Sequence, residues 1–254
     1  MAQERSERTR GRLVEAGAVL FDRCGYAGAT LGEIAGAAGV TKGALYFHFT
    51  SKEELAGAVL QQAEQALGTA CSTLRTASSP LQALIDAGYW LVEALGSDAV
   101  IRAAFRLGRE GGGLPVGDSA AGPSAGLPAN PSAGSSAGQS VGRSTGPSVA
   151  PAAVPSAGVF PGLPGFHGVW AAVVRDLLAG ARRAGELRDR AGALGPETLV
   201  VTAACGLEVV FGDGRPDEER ARRVGALWEW LLPCLVPPGH AGAYRTRPLA
   251  PVPA

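Results

Sequence analysis

The sequence predicts an all-α protein, and three observations carry that expectation. Apolar residues recur at helical spacing in every long patterned segment, and no segment keeps strand alternation for long. Pro80, Pro196 and Pro216 each stand near the start of a patterned segment, where a missing N–H costs little. With 254 residues, 46% of them hydrophobic, the chain can bury one or two cores. A first helix is expected over roughly Ser6–Cys24, with Leu13, Val14, Gly17, Leu20 and Phe21 inward. Thr30 is placed to cap a short helix carrying Leu31, Ile34, Ala35 and Ala38. Gly39 supplies the positive-φ residue that stops it, and Val40 plugs the corner. Thr41 caps a second short helix, and Ser51, with Glu53 and Glu54 in the first turn, opens a long one to about Ala77. From Pro80 a stripe runs through Leu81, Leu84, Ile85, Gly88, Leu91, Val92 and Leu95; Asp98 caps a helix with Ile101 and Phe105 that ends at Gly111. The pattern returns at about Phe166–Ala184, Pro196–Phe211 and Pro216–Leu235.

Two short helices joined by a turn containing Gly form a helix-turn-helix, whose second helix enters the DNA major groove. On that helix Leu45 and Phe49 share the buried side, while Gly43 and Phe47 face outward between Ala44 and Tyr46. Small residues at 43 and 44 let the backbone approach base edges and phosphates. Tyr46 and His48 carry groups that hydrogen-bond phosphate oxygens, and Phe47 suits a thymine methyl or a sugar face. The bland reading, an amphipathic hairpin whose aromatics belong to a core, leaves the outward aromatics unexplained. The chain is formally neutral, so composition implies no general affinity for polyanions. Among 23 cationic residues just two are lysines, Lys42 and Lys52, each at an expected helix start. A cation there opposes the helix dipole unless a phosphate binds the same terminus. Arg5, Arg8, Arg10 and Arg12 form either a basic arm or, interleaved with Glu4 and Glu7, an ordinary solvated helix end.

Residues 111–165 are of a different composition: 41 of these 55 are Gly, Ala, Ser or Pro, and PSAG recurs at 123–126, 131–134 and 155–158. Such a segment buries too little apolar surface to offset its ordering entropy, so a low-complexity disordered insertion is expected. Its four GxSxG matches follow from composition and lack the strand-turn-helix context of a hydrolase elbow. Cys24, Cys71, Cys205 and Cys234 are far apart, which favours buried free thiols over a zinc site; no metal or cofactor is expected. No apolar run approaches the roughly 20 residues that cross a bilayer, and the charged start lacks a signal-type segment. A cytoplasmic protein is expected.

The first 60 or so residues resemble the TetR family of one-component transcriptional regulators. The resemblance rests on Leu20-Phe21 with Gly25-Tyr26, Ile34-Ala35 with Ala38-Gly39-Val40, Lys42 through Phe49, and Ser51-Lys52-Glu53. It implies DNA-binding roles for Thr30, Thr41, Lys42, Gly43, Tyr46, His48 and Lys52, to which the helix wheel adds Ala44 and Phe47. VTKGALYFHF, SKEELA, Pro80-Leu81-Gln82 and Leu231-Leu232-Pro233 are similar to the γ-butyrolactone autoregulator receptors of actinomycetes. Residues 111–165 depart from that pattern, and the resemblance stops again at the tail after Gly239. It implies a three-helix DNA-binding domain at 1–50 and a helical ligand-binding and dimerisation domain at 51–110 and 166–238; a flexible tail is expected at 239–254.

The stripes after Ala77 hold few charges and many aromatics (Tyr89, Trp90, Phe105, Phe166, Trp170, Phe211), a lining fit for an apolar pocket. The resemblance singles out Trp170, ahead of Arg183-Ala184-Gly185-Glu186, as the residue that covers a lactone ring; a plain core Trp is the alternative. Gln82 and Thr202 are candidate polar partners and Phe105 a candidate wall. The last two helices, with Leu199, Val200, Ala203, Leu207 and Val210, then Leu227, Trp228, Leu231 and Leu232, resemble the family's dimer interface, or else close the monomer's own core. The expectation is a homodimeric repressor on a palindromic operator, released by a small apolar effector such as a γ-butyrolactone, with Ser51–Ala77 as the coupling link. The alternatives are a pseudo-receptor sensing an antibiotic or intermediate, and a ligand-independent DNA-binding protein. An enzyme would need an acid/base set that the sequence does not supply.

Overall fold

Capping chemistry sets the boundaries of the N-terminal helices in the computed structural model, which describes residues 2–110, 165–188, 199–200, 202–203, 206 and 217–248. Helix α1 spans Ala2–Gly28 and starts earlier than the apolar pattern does. Gln, Glu and Arg are good helix formers, and Gln3 bonds Glu7 one turn on at 3.3 Å, so nothing stops the helix at Ser6. Its regular geometry breaks at Gly25, with φ 75° and ψ 175°, directly after the expected end at Cys24. Thr30 caps α2 (Leu31–Ala37) in a reciprocal box with Glu33, whose carboxyl is held below the usual range by the Thr30 hydrogen bonds. Gly39, at φ 64°, ends α2, and the Val40 N–H donates to the Ala35 carbonyl at 3.0 Å. Thr41 then caps α3 (Lys42–His48), and Ser51 caps α4 (Lys52–Ala77). Each such cap contributes about 1 kcal/mol, which matters most for helices of seven residues that packing must otherwise hold.

The remaining helices form a bundle: α5 (Pro80–Ser97), α6 (Ala99–Glu110), α7 (Phe166–Arg183) and α8 (Asp217–Leu235). No strand occurs among the described residues. Helix α5 is buried on nearly every side and is surrounded by α4, α6, α7 and α8, so it is the core of the bundle. The N-terminal helices rest on this bundle through α1, which lies along both α6 and α4. One apolar cluster runs continuously from Leu13 and Phe21 through Leu55 and Ile85 to Trp228. The low-complexity stretch, apart from Gly165, and most of the helix expected at Pro196–Phe211 lie outside the described residues.

Three expectations are corrected here. Residues 239–248 are not a loose tail but a strap over α5. Arg245 forks onto the buried Asp86 carboxylate at 2.8 and 3.0 Å, and its backbone N–H donates to Gln82 Oε1 at 2.8 Å. The Tyr89 hydroxyl donates to the Thr246 carbonyl, and burial pushes that phenol up to about 12. The strap follows from Asp86, a carboxylate 7% exposed on an apolar helix that requires a partner. On α8, Trp228, Leu231 and Leu232 face this chain's own core, while Trp230 is 82% exposed. The thiols of Cys24 and Cys234 are exposed; among the described cysteines Cys71 is the buried one.

Two stability outcomes follow. Gly25 occupies a conformation that is nearly glycine-only, and a Cβ there would collide with the Glu110 carboxylate. Gly25→Ala is expected to lower stability by about 1–3 kcal/mol, read by urea denaturation. Arg245→Ala strands the Asp86 charge and is expected to cost about 2 kcal/mol, with Asp86→Asn in the same chain recovering part of it.

Candidate nucleic-acid interface and bundle interior

The second helix of the helix-turn-helix is locked from below and bare above. Leu45 and Phe49 are fully buried, and Arg10 lies over the Phe49 ring at 5.0 Å. On the outer side Tyr46 is 55% and Phe47 80% exposed, and Phe47 meets His48 edge-on at 5.2 Å. Lys42 and Gly43 are exposed, and Ala44 and His48 are half-buried. Lys42 lies across Gly32 of α2, its Cε 3.0 Å from where a Cβ would stand, so a side chain at 32 would displace it. Thr30 and Thr41 are exposed at the two helix starts while their hydroxyls serve as caps. The structure therefore places Thr30 and Thr41 at the starts of α2 and α3, and Lys42, Gly43, Tyr46, Phe47 and His48 on α3. A π-face and a hydroxyl, with the small residues beside them, form a surface able to meet sugars, methyls and phosphates.

Lys52 does not join them. Its ammonium donates to the carbonyls of Tyr26 at 2.8 Å and Ala29 at 3.1 Å and sits 4.4 Å above the Tyr26 ring. It satisfies the end of α1 rather than waiting for a phosphate, which answers why a cation is tolerated at the start of α4. Arg12 likewise donates to the Ala38 carbonyl at the end of α2. These two cations position the reading helices from behind.

In the bundle, Trp170 is 1% exposed and its indole N–H has no hydrogen-bond partner among the described residues. An orphaned buried donor costs about 1–3 kcal/mol, unusual in a stable core. Phe105 is fully buried, edge-on to Phe166 and to His167, both at 4.8 Å. Burial, then the charge of Arg109, hold His167 below its ordinary value. Two candidate ligand residues stand elsewhere. Gln82 spends its amide on Asp86 and on the strap, donating to the Arg245 carbonyl at 3.2 Å, and Thr202 is exposed in the single chain. The expected aromatic lining divides too. Trp90 lines an open groove of about 570 Å³ against α4, with Gln62, Gln65, Thr69 and Leu74, away from the interior that holds Trp170. Phe211 lies outside the described residues.

Sequence reasoning missed a polar junction where α1, α4 and α6 meet. Arg102 donates to Asp22 at 2.7 Å and to the last carbonyls of α5. Arg106 donates to the Asp22 and Arg23 carbonyls at 2.6 and 3.1 Å, and Glu110 accepts from the Tyr26 N–H at 2.6 Å. The available signal was the i, i+4, i+8 spacing of Arg102, Arg106 and Glu110 on a helix whose one other charged residue is Arg109. Their partners, 80 or more residues away, become visible with the fold.

Comparison with known proteins agrees with this geometry. Residues 13–59, from within α1 to within α4, match the model for bacterial regulatory proteins of the tetR family. The A-factor receptor protein of Streptomyces griseus is 38% identical over 120 residues, which is 46% of this chain. The match spans 42% of that relative's own length. The TetR family protein CprB from Streptomyces coelicolor, solved in complex with its biological operator sequence, superposes with a TM-score of 0.66. It is 26% identical, over 94% of each chain. A γ-butyrolactone receptor (ArpA-like protein) superposes with a TM-score of 0.63, again 26% identical and over 94% of each chain. No described helix is long and apolar enough to cross a membrane. A helix-turn-helix on a helical bundle, a matching N-terminal model and these relatives converge: residues 13–59 match the tetR-family DNA-binding domain, and the chain is similar in fold to the γ-butyrolactone receptors.

Proposed function

We propose that this protein is a homodimeric transcriptional repressor acting in the cytoplasm, whose operator affinity is lowered by a small apolar effector of the γ-butyrolactone class. The observation that carries the DNA half is the pair Tyr46–Phe47, bare on a helix whose opposite side is pinned by Leu45 and Phe49. Exposing an aromatic pair is costly unless a partner covers it. CprB, similar to this chain in fold, was solved in complex with its operator sequence, which points to the same class of partner. Residues 1–50 form the DNA-binding unit, and 51–110 with 166–238 the regulatory one. Lys42, Gly43, Ala44, Tyr46, Phe47 and His48 meet the duplex, with Thr30 and Thr41 at its phosphates; Lys52 acts by positioning. The outward side of α8, with exposed Trp230 and half-buried Leu227, together with exposed Leu199, supplies the face on which two copies meet. Trp170 is the effector contact, because its buried N–H lacks an acceptor that a lactone carbonyl would supply. Phe105 packs beside the same helix and forms part of the wall.

The test is a mobility shift on the DNA upstream of the protein's own gene, with and without an ethyl acetate extract of the source culture or synthetic γ-butyrolactones. Tyr46→Ala is expected to weaken binding about 10–100-fold with an unchanged melting temperature and an intact dimer; retained affinity would remove α3 as the reading helix. Trp170→Phe, which keeps a ring and loses the N–H, is expected to bind DNA normally and to need at least tenfold more effector for release. Normal release would take Trp170 out of the pocket.

A further inference from the structure

The interruption of α1 at Gly25 leaves a backbone donor and a backbone acceptor that an unbroken helix would pair, Tyr26 N–H with the Asp22 carbonyl. Both are held by one helix, α6. Arg106 donates to the Asp22 carbonyl and Glu110 accepts from the Tyr26 N–H, each at 2.6 Å, and Arg106 and Glu110 pair with one another at 3.0 Å. The Tyr26 side chain turns the other way. Its hydroxyl donates to Glu53 at 2.5 Å and its carbonyl accepts from Lys52, the first two residues of α4. Burial and then the Glu53 carboxylate push the phenol far up, and the same hydrogen bond holds Glu53 down, so the pair stays phenol and carboxylate across the working range. Three residues separate α4 from the recognition helix α3.

The other side of the same two turns of α6 faces α7. Phe105 packs on Phe166 and His167, and a Cβ at Gly108 would stand 3.0 Å from His167 Nδ1, so the two helices are in close contact there. Trp170 is one turn further along α7. Positions 105 and 108 thus touch the helix of the orphaned indole while 106 and 110 hold the end of α1.

We propose that Tyr26 and Glu110 are positioning residues for operator binding, through which α6 and α4 together fix the orientation of α1–α3. The proposal rests on the DNA-binding reading above.

The test compares Glu110→Ala, Glu110→Gln and Tyr26→Phe with the wild-type chain. Operator affinity is read by fluorescence anisotropy, global stability by melting, and local order by amide hydrogen exchange. Glu110→Ala is expected to weaken operator binding about tenfold and to speed exchange at the end of α1 and the start of α4, with α5 and α7 unchanged. Glu110→Gln keeps an acceptor for the Tyr26 N–H and is expected to recover most of the affinity. Tyr26→Phe, which loses a single hydroxyl and keeps the ring under Lys52, is expected to lose about threefold, and it serves if the alanine variant fails to fold. Unchanged affinity in both Glu110→Ala and Tyr26→Phe overturns the proposal. So does a loss that tracks global melting and that glutamine does not recover. Should the wild-type chain itself fail to bind, the DNA reading falls. The exchange data then decide the junction alone: unchanged rates at Tyr26 in Glu110→Ala overturn it, and faster rates there support it.

Discussion

The rest of the molecule depends on how the end of α1 is held. A helix that stops inside a protein leaves carbonyls and N–H groups that must find partners, and each left buried and unpaired costs about 1–3 kcal/mol. Gly25 interrupts α1 one turn before its end by taking a conformation other residues avoid, and the groups so exposed are taken up by Arg106 and Glu110 from α6 and by Lys52 from α4. The N-terminal helices are therefore joined to the bundle by directional bonds as well as by the apolar seam along α1. Greasy contact alone would let α1 slide; the bonds at its end fix both its register and its tilt. Since α2 and α3 are seven residues each, their placement derives from α1 and α4 and not from their own stability.

That arrangement changes the meaning of several charged residues. A lysine at the start of a helix reads as a phosphate ligand when the helix is considered by itself. Set beside the end of α1, Lys52 is a cation at a helix C-terminus, where the dipole favours it. Arg12 does the same for α2. With these two committed to the interior side, the outer side of α3 holds one lysine, two aromatics and a histidine. Under the proposed function such a surface would gain little from net charge and would depend on shape and on contacts of Tyr46 and Phe47, in keeping with a formally neutral chain.

Local chemistry made most of the helices legible before any coordinates. Thr30, Gly39, Thr41, Ser51, Pro80 and Asp98 are boundary residues whose effects act within four positions, and their helices begin or stop beside them. Leu45, Phe49 and Phe47 were sorted into inside and outside by period alone. What could not be read was long-range pairing. Gln82 looked like a free amide because its partner Arg245 is 163 residues away, and the strap looked loose because Pro, Gly and Ala at 237–243 carry no helical period. Trp228 looked like a dimer contact for a related reason. Period identifies an apolar stripe but does not say whether the surface opposite belongs to the same chain, and here that surface is α5.

The orphaned indole of Trp170 also constrains what an effector must be under the proposed function. To move a repressor from almost entirely DNA-competent to almost entirely released, an effector must favour the released state by about 5.5 kcal/mol. Supplying an acceptor to a buried, unpartnered N–H contributes about 1–3 kcal/mol. A compact polar molecule that did this and nothing more would fall short. The difference, about 2.5–4.5 kcal/mol, corresponds to roughly three to six methylene groups newly buried at about 0.8 kcal/mol each. The residues around that helix can supply such burial, because Phe105, Phe166, Val174 and Leu178 are apolar and inaccessible to water. An effector with one carbonyl and an alkyl chain matches this division between one donor and a greasy wall, whereas a polyhydroxylated or charged ligand would leave its own polar groups stranded. Under the proposed function the wall would select the alkyl chain and the indole the carbonyl, and neither alone would make the bundle a sensor.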